Sequence, residues 1–229
     1  MKYSIGSSQY GLGDVLLLTT IAKHLPNKLT VQIPSQYSRF SILFDGLADV
    51  EITAEDKIMP IQDIGLGHYA RRKLRSLFGS DAEYMDIRPL VLYSDRDSEK
   101  WVCEYLLDKP NPIIICPFVS KAWSQVRNLP FDIVQEILGQ AKLHNQTPIF
   151  VQSETDQEWG HHTLNNLELC KLICLIRKVG QIATANTGVY HLATALSAKI
   201  YCFQPEDGPL FNSTEWCYES TPTIQHYTW

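Results

Sequence analysis

Short apolar runs alternate along this chain with longer runs of helical period, and Gly, Pro, Asn and Asp separate them. That alternation is the strongest constraint on the fold, because neighbouring parallel strands need a crossover and a helix supplies it. Strand-like runs fall at residues 2–5, 29–33, 48–53, 113–116, 148–152, 181–184 and 199–203. Helix-like runs fall at 14–25, 37–44, 97–107, 131–144, 167–178 and 189–196. The expectation is an α/β protein built on parallel sheets. A further strand is expected at 57–61 and a basic helix at 68–78, ended by Gly79, whereas 208–229 is aromatic and irregular and has no assignable period.

Lys109-Pro110-Asn111-Pro112 interrupts both kinds of periodicity just before a new apolar run. It is the best boundary, giving a first domain of residues 1–109 and a second of 110–229. Open parallel sheets bind ligands at the carboxyl ends of their strands. Two such domains joined by one linker would therefore face each other across a cleft, with a loop site on each wall.

At 229 residues and 45% hydrophobic content the chain has the makeup of a globular protein. A formal net charge of -5, with cations spread out except for Arg71, Arg72, Lys73 and Arg75, argues against a protein devoted to a nucleic-acid backbone. That basic cluster reads as a solvated helix face or a local basic patch. Six cysteines with no C-x-x-C spacing are expected to be reduced core residues. Cys170 and Cys174 share a helix face among leucines, and His161-His162, which lacks a partner motif for a metal, reads as a solvated loop. No apolar run is long enough to span a bilayer and no cleavage pattern follows the first helix, so a cytoplasmic protein is expected.

The residues that carry chemistry cluster at turns. Asn186, Thr187 and Gly188 fall between the run at 181–184 and the helix at 189–196, and His191 lies one turn into that helix. Helix N-terminal N–H groups lack intrahelical partners, Asn or Thr can cap them, and Gly lets a ligand approach, so the turn suits a diphosphate. An ordinary capped turn would look the same from local sequence. In the first domain, Gly11, Gly13 and Asp14 end a Gly/Ser-rich loop of residues 6–13. Asp14 reads either as a cap that complements the helix dipole or as a general base for an incoming hydroxyl. The spacing matches neither G-x-G-x-x-G nor G-x-x-x-x-G-K. Ser120, Lys121 and Arg127, in the loop after the 113–116 strand, read as phosphate contacts or as solvated surface groups. Asp95-Arg96-Asp97 is the only D-x-D in the chain, and its place at a helix start favours capping over metal binding.

Together these residues carry a likeness. Gly11-Leu12-Gly13-Asp14-Val15-Leu16-Leu17-Leu18-Thr19-Thr20 resembles the N-terminal glycine-aspartate motif of glycosyltransferase family 9, the ADP-heptose:lipopolysaccharide heptosyltransferase group. Asn186-Thr187-Gly188-Val189-Tyr190-His191 resembles that family's Asp-Thr-Gly-x-x-His turn, and Lys121-Ala122-Trp123-Ser124 its Lys-x-Trp-Pro signature. The likeness covers most of the second half and about the first twenty-five residues, and it is thin from about Gln36 to Asn111.

The resemblance implies the GT-B architecture: two Rossmann-like parallel-sheet domains facing across a cleft, the first holding the acceptor and the second a nucleoside-diphosphate-sugar donor. It implies an inverting, metal-independent glycosyltransferase with no cofactor. Asp14 would activate the acceptor, Lys121 would contact the donor phosphates with Arg127 as a second cation, and Glu154, with Asp156 and Glu158 as rivals, would hold the ribose. Asn186 and Ser124 depart from the pattern, standing where the family has aspartate and proline, and the first domain is shorter than the family's acceptor domain. The acceptor is expected to be a glycan or another hydroxyl, with peripheral contact to a membrane glycolipid and no nucleic acid. The rival readings are a non-catalytic nucleotide-sugar-binding module and a phage-type transferase acting on a modified nucleic-acid base.

Overall fold

The structure is a computed structural model that describes residues 2–4, 12–24, 29–53, 74–75, 78–118, 128–152, 159, 162–205 and 223–228. The chain divides into two compact units, Met1–Tyr93 and Ser94–Trp229.

The first unit holds a parallel sheet in the order β1-β2-β3, with β1 Lys2–Ser4, β2 Leu29–Pro34 and β3 Ala48–Thr53. Helix α1, Leu12–Ala22, stands between β1 and β2 in sequence. Its Val15, Leu16, Leu18 and Ile21 are all buried, and so are Thr19 and Thr20, which makes it apolar nearly all round, as a helix enclosed by its own unit must be. The buried hydroxyls are satisfied: Thr20 Oγ1 donates to the Ile87 carbonyl at 3.2 Å, and Thr19 Oγ1 accepts from Leu90 N–H at 3.1 Å. Residues 86–90 are thereby fastened along the second half of α1. At its end Lys23 Nζ pairs with Asp86 at 3.2 Å and His24 Nε2 hydrogen-bonds the Asp86 carbonyl at 2.8 Å. A 3-10 helix, Ser35–Phe44, adds Phe40, Leu43 and Phe44 to this core.

The glycine loop is shorter than its sequence suggests. Helix α1 begins at Leu12, so Gly13 is a buried residue of its first turn and not part of the loop. A helical glycine costs about 1 kcal/mol relative to alanine, and burial of the apolar run that starts at Leu12 outweighs it. Of the basic helix expected at 68–78, residues 74, 75 and 78 are described and helical, and Gly79, at φ +61°, turns the chain into a second 3-10 helix, Gly79–Tyr84. The strand expected at 57–61 lies outside the described residues.

The second unit is a six-stranded sheet in the order β6-β5-β4-β7-β8-β9, every neighbouring pair parallel. Its elements in chain order are α2 Arg96–Leu106, β4 Pro112–Cys116, α3 Phe131–Leu143, β5 Thr147–Gln152, β6 His162–Asn165, α4 Leu169–Val179, β7 Gln181–Ala185, α5 Gly188–Ala195, β8 Lys199–Gln204 and β9 Ile224–Thr228. The chain starts at β4, winds outward through β5 to β6, returns to the other side of β4 as β7, and winds outward again through β8 to β9. This is the doubly wound order, and its direction reverses between β4 and β7.

Ile115, Leu129, Val134, Ile137, Phe150, Ala183 and Ala185 make one core layer, into which α3 packs from one side. Helix α4 packs on β4 and β7 and against α2. Because α2 docks on α4, with Lys171 Nζ 5.4 Å from the Trp101 ring centroid, the division between units falls at Tyr93/Ser94. The Pro-rich segment at 109–112, where the sequence breaks most sharply, instead joins α2 to β4 within the second unit. Asp95 caps α2 as its position suggests, accepting from Ser98 N–H at 3.0 Å. Its carboxyl is held below the usual range first by the Ser98 side chain and backbone. Two strands go beyond the sequence reading: His162 opens the edge strand β6 and is not in a loop, and β9 lies in the tail that carried no period.

Candidate functional site

Strand β7 is buried from Ile182 to Ala185, and its parallel neighbours β4 and β8 fix which residues reach the carboxyl edge. Cys116, the last residue of β4, pairs with Thr184. The loop after β4 and the turn after β7 therefore leave the sheet side by side at the switch point, where a doubly wound sheet opens its crevice.

The turn after β7 is built as a capped helix start. Thr187 is extended, at φ −139° and ψ 179°, and its hydroxyl accepts from Val189 N–H at 3.2 Å. Its carbonyl accepts from His191 N–H at 3.3 Å and closes the first turn of α5. Of the two capping candidates, Thr187 is the cap, and Asn186 is a buried residue one step before it. The helix then buries Tyr190, His191 and Leu192, with the Tyr190 and His191 rings edge to face at 5.2 Å between centroids. As at any helix start, the first turn of α5 directs its N–H groups and the positive end of the helix dipole toward the carboxyl edge.

Ser120, Lys121 and Arg127 lie outside the described residues, but both ends of their loop are described. It leaves through Pro117 and Phe118 and returns at Asn128, and Leu129 N–H donates to the Pro117 carbonyl at 2.8 Å across its base. Glu154, Asp156 and Glu158 also lie outside the described residues; their segment leaves from Gln152 at the end of β5, the strand next to β4. Three segments that are far apart in sequence thus leave from the adjacent strands β5, β4 and β7. In the first unit Gly11 lies outside the described residues, and Asp14 is the third residue of α1, its side chain not described.

One feature of this edge was not legible as a site. Trp159 stacks on Phe150 at 5.1 Å and 5°, lies 5.9 Å and 18° from Phe131, and meets Phe118 at 5.8 Å in a tilted contact. Its Nε1 donates to Gln152 Oε1 at 3.2 Å, and Gln152 Nε2 donates to Asn165 Oδ1 at 3.0 Å, which fixes the indole. The only sequence signal was an aromatic residue beside each loop end.

The cysteines follow their burial. Among the described residues Cys103, Cys116, Cys170, Cys174 and Cys202 are unpaired in disulfides, and burial pushes the Cys116 thiol up to about 12. Cys103 and Cys170 depart from the core expectation, the first exposed on α2 and the second only partly buried on α4, and Cys217 lies outside the described residues. Among the described residues no three His, Cys, Asp or Glu side chains gather as a metal site requires, and no helix is long and apolar enough to cross a membrane.

No family sequence profile and no curated protein matches the chain. Solved structures do. A glycosyltransferase family 9 protein from Veillonella parvula superposes with a TM-score of 0.64 at 11% identity, covering 99% of this chain and 86% of its own. The Escherichia coli ADP-heptose lipopolysaccharide heptosyltransferase II gives 0.58 at 13% identity over 99% and 89%. The E. coli heptosyltransferase WaaC with ADP gives 0.56 at 10% identity over 100% and 93%. This chain thus has the fold of the family 9 heptosyltransferase structures along nearly its whole length.

Proposed function

We propose that the protein is a glycosyltransferase that moves a sugar from a nucleoside-diphosphate donor to an acceptor hydroxyl, with inversion and without a metal. The observation that carries this reading is the carboxyl edge of the second sheet, where the capped N-terminus of α5 stands at the switch point beside the loop from β4. Backbone N–H groups and a helix dipole at such a point favour a diphosphate. Two of the structures that share the fold are named for ADP-heptose or hold ADP, which supports a nucleoside diphosphate as the donor's leaving part.

In the proposed reaction the acceptor oxygen forms its bond to the anomeric carbon as the bond from that carbon to the diphosphate breaks. Asp14 takes the acceptor proton. The negative charge growing on the departing diphosphate is stabilised by the turn from Asn186 through Thr187 and Gly188 to His191, and by Ser120, Lys121 and Arg127. Preplaced donors of this kind do not reorganise as the charge develops, so cations and a helix end can do what a metal does elsewhere. Glu154 holds the donor ribose. The acceptor is a glycan or another hydroxyl compound, with peripheral contact to a membrane glycolipid.

A thermal-shift panel of ADP-, GDP-, UDP- and CMP-linked sugars tests the reading, followed by donor hydrolysis with the best binder. Stabilisation that requires Lys121, together with slow hydrolysis lost in Asp14→Ala, is the expected result. If no nucleotide sugar shifts the melting temperature, the donor site is wrong.

A further inference from the structure

We propose that Phe131 and Trp159 form the stacking surface for the nucleobase of the donor, an assignment that rests on the transferase reading above. Three nearly parallel rings run from core to surface at the carboxyl edge. Phe150 is 0% exposed in strand β5, Trp159 is half-buried and stacked on it, and Phe131 is 64% exposed. The core needs only the inner part of this series, since Trp159 already covers Phe150 and the layer beneath it.

The outer ring is the unusual one. Phe131 is the first residue of α3, where an exposed position gains most from a carboxylate or a capping group and nothing from an aromatic ring left in water. The unit's other exposed apolar side chain on this helix, Leu143, is aliphatic and sits at the far end of α3, the end that leads into the start of β5. Of these two exposed side chains, Phe131 is the one that lies where the segments after β4 and β5 emerge. The hydrogen-bond chain from Trp159 through the buried Gln152 to Asn165 holds the indole in one orientation, which is what a stacking platform needs and simple core filling does not.

The stack also lies on the path a nucleotide would take from the anion site. Strands β5 and β7 are separated only by β4, so the strand ends that carry the two sites are two strand spacings apart in the plane of the sheet, about 10 Å. A donor nucleotide that leaves its diphosphate at Thr187 and Gly188 and crosses the end of β4 would bring its base to the β5 side, where Phe131 and Trp159 stand. Aromatic stacking accepts any base, so the platform supplies affinity and leaves the choice of base to polar groups on the neighbouring loops.

The test compares two probes, ADP and inorganic pyrophosphate, by titration calorimetry on wild type, Phe131→Ala, Phe131→Tyr and Trp159→Phe. Base–aromatic stacking losses correspond to roughly 5- to 150-fold in affinity. Phe131→Ala should weaken ADP by that range and leave pyrophosphate within about twofold, a level set by the anion site alone. Phe131→Tyr should keep ADP affinity, and ADP should quench indole emission in wild type but not in Trp159→Phe. Equal ADP affinity in wild type and Phe131→Ala would overturn the stacking assignment while leaving the transferase reading intact, and so would an equal loss for both probes. Failure of wild type to bind either probe would overturn both.

Discussion

The cap on α5 can be tested by a single hydroxyl. Thr187→Val keeps the β-branched shape and removes only the acceptor that takes Val189 N–H at 3.2 Å. Loss of a Thr N-cap costs about 1 kcal/mol, with a range of roughly 0.5–2 kcal/mol. For a chain of this length that corresponds to a fall in melting temperature of about 2–4 °C, read by calorimetry or dye fluorescence. Thr187→Ser restores the acceptor and should restore the melting temperature; Thr187→Ala should behave as Val. A diphosphate makes the series a test of function as well. If the anion sits on this helix end, its oxygen can take the N–H that the lost hydroxyl released, so the deficit should narrow when ADP or the preferred nucleotide is saturating. Equal melting temperatures for Thr187→Val and wild type would refute the cap. A deficit unchanged by saturating nucleotide would refute the anion site at α5 even if the cap is real.

Three other perturbations follow from the structure. Burial raises the Asp86 carboxyl, but hydrogen bonds from the Arg88 side chain and backbone and the Lys23 ammonium outweigh it and bring it down to about 2; a folded value below the ordinary one gives stability that is present above about pH 4 and lost toward about pH 2. Because that side chain is 45% exposed, screening leaves about 1 kcal/mol, so Asp86→Asn should melt about 2–4 °C lower at pH 7 and match wild type near pH 2, and a difference that persists there would refute the assignment. Gly180 ends α4 at φ +72° with no atom within 4 Å of an added Cβ, so Gly180→Ala should cost about 1–2 kcal/mol from backbone strain alone and Gly180→Asn less, measured by urea unfolding. Phe150→Ala should cost about 3–5 kcal/mol and shift indole emission to the red as Trp159 loses its inner partner; a change under about 1 kcal/mol would mean the ring is not the floor of that layer.

What the sequence revealed of this fold tracks how each element earns its stability. Strands β4, β7 and β8 were legible because apolar runs bounded by Pro, Gly or Ser can bury themselves on both faces of a sheet, and α4 because Leu172, Ile173 and Ile176 lie on one side with Arg177 and Lys178 outside. Strands β6 and β9 were not. His-Thr-Leu-Asn and Ile-Gln-His-Tyr-Thr sit at the two edges of the sheet, half exposed, and owe their extended form to backbone pairing with β5 and β8, which no local pattern records. The first turn of α1 was misread for a related reason: glycine at residue 13 signals a loop, and only the burial of its neighbours overrides it. The division between units depended on α2 docking on α4, a contact between residues about seventy apart, whereas the prolines at 110 and 112 mark only a local break. At the site, the Thr187 cap was legible because strand, turn and helix are contiguous. The Trp159 stack was not, because Phe118, Phe131, Phe150 and Trp159 meet only after β4 and β5 pair.

Strand order also explains how a fold can persist at 10–14% identity across a whole chain. Winding outward from β4 in both directions brings the segments after residues 116, 152 and 185 to neighbouring strand ends whatever side chains the loops carry. A diphosphate bound by helix-end N–H groups asks little of those side chains: one cap, supplied here by Thr187, and a residue small enough for close approach, supplied by Gly188. Recognition of that kind tolerates sequence drift, because the backbone that provides it is set by the sheet. Base, sugar and acceptor are recognised by side chains and can change with the loops. On this argument the aromatic series ending in Phe131, if it takes the base as proposed, belongs to the second group, recognition by side chains at the carboxyl edge.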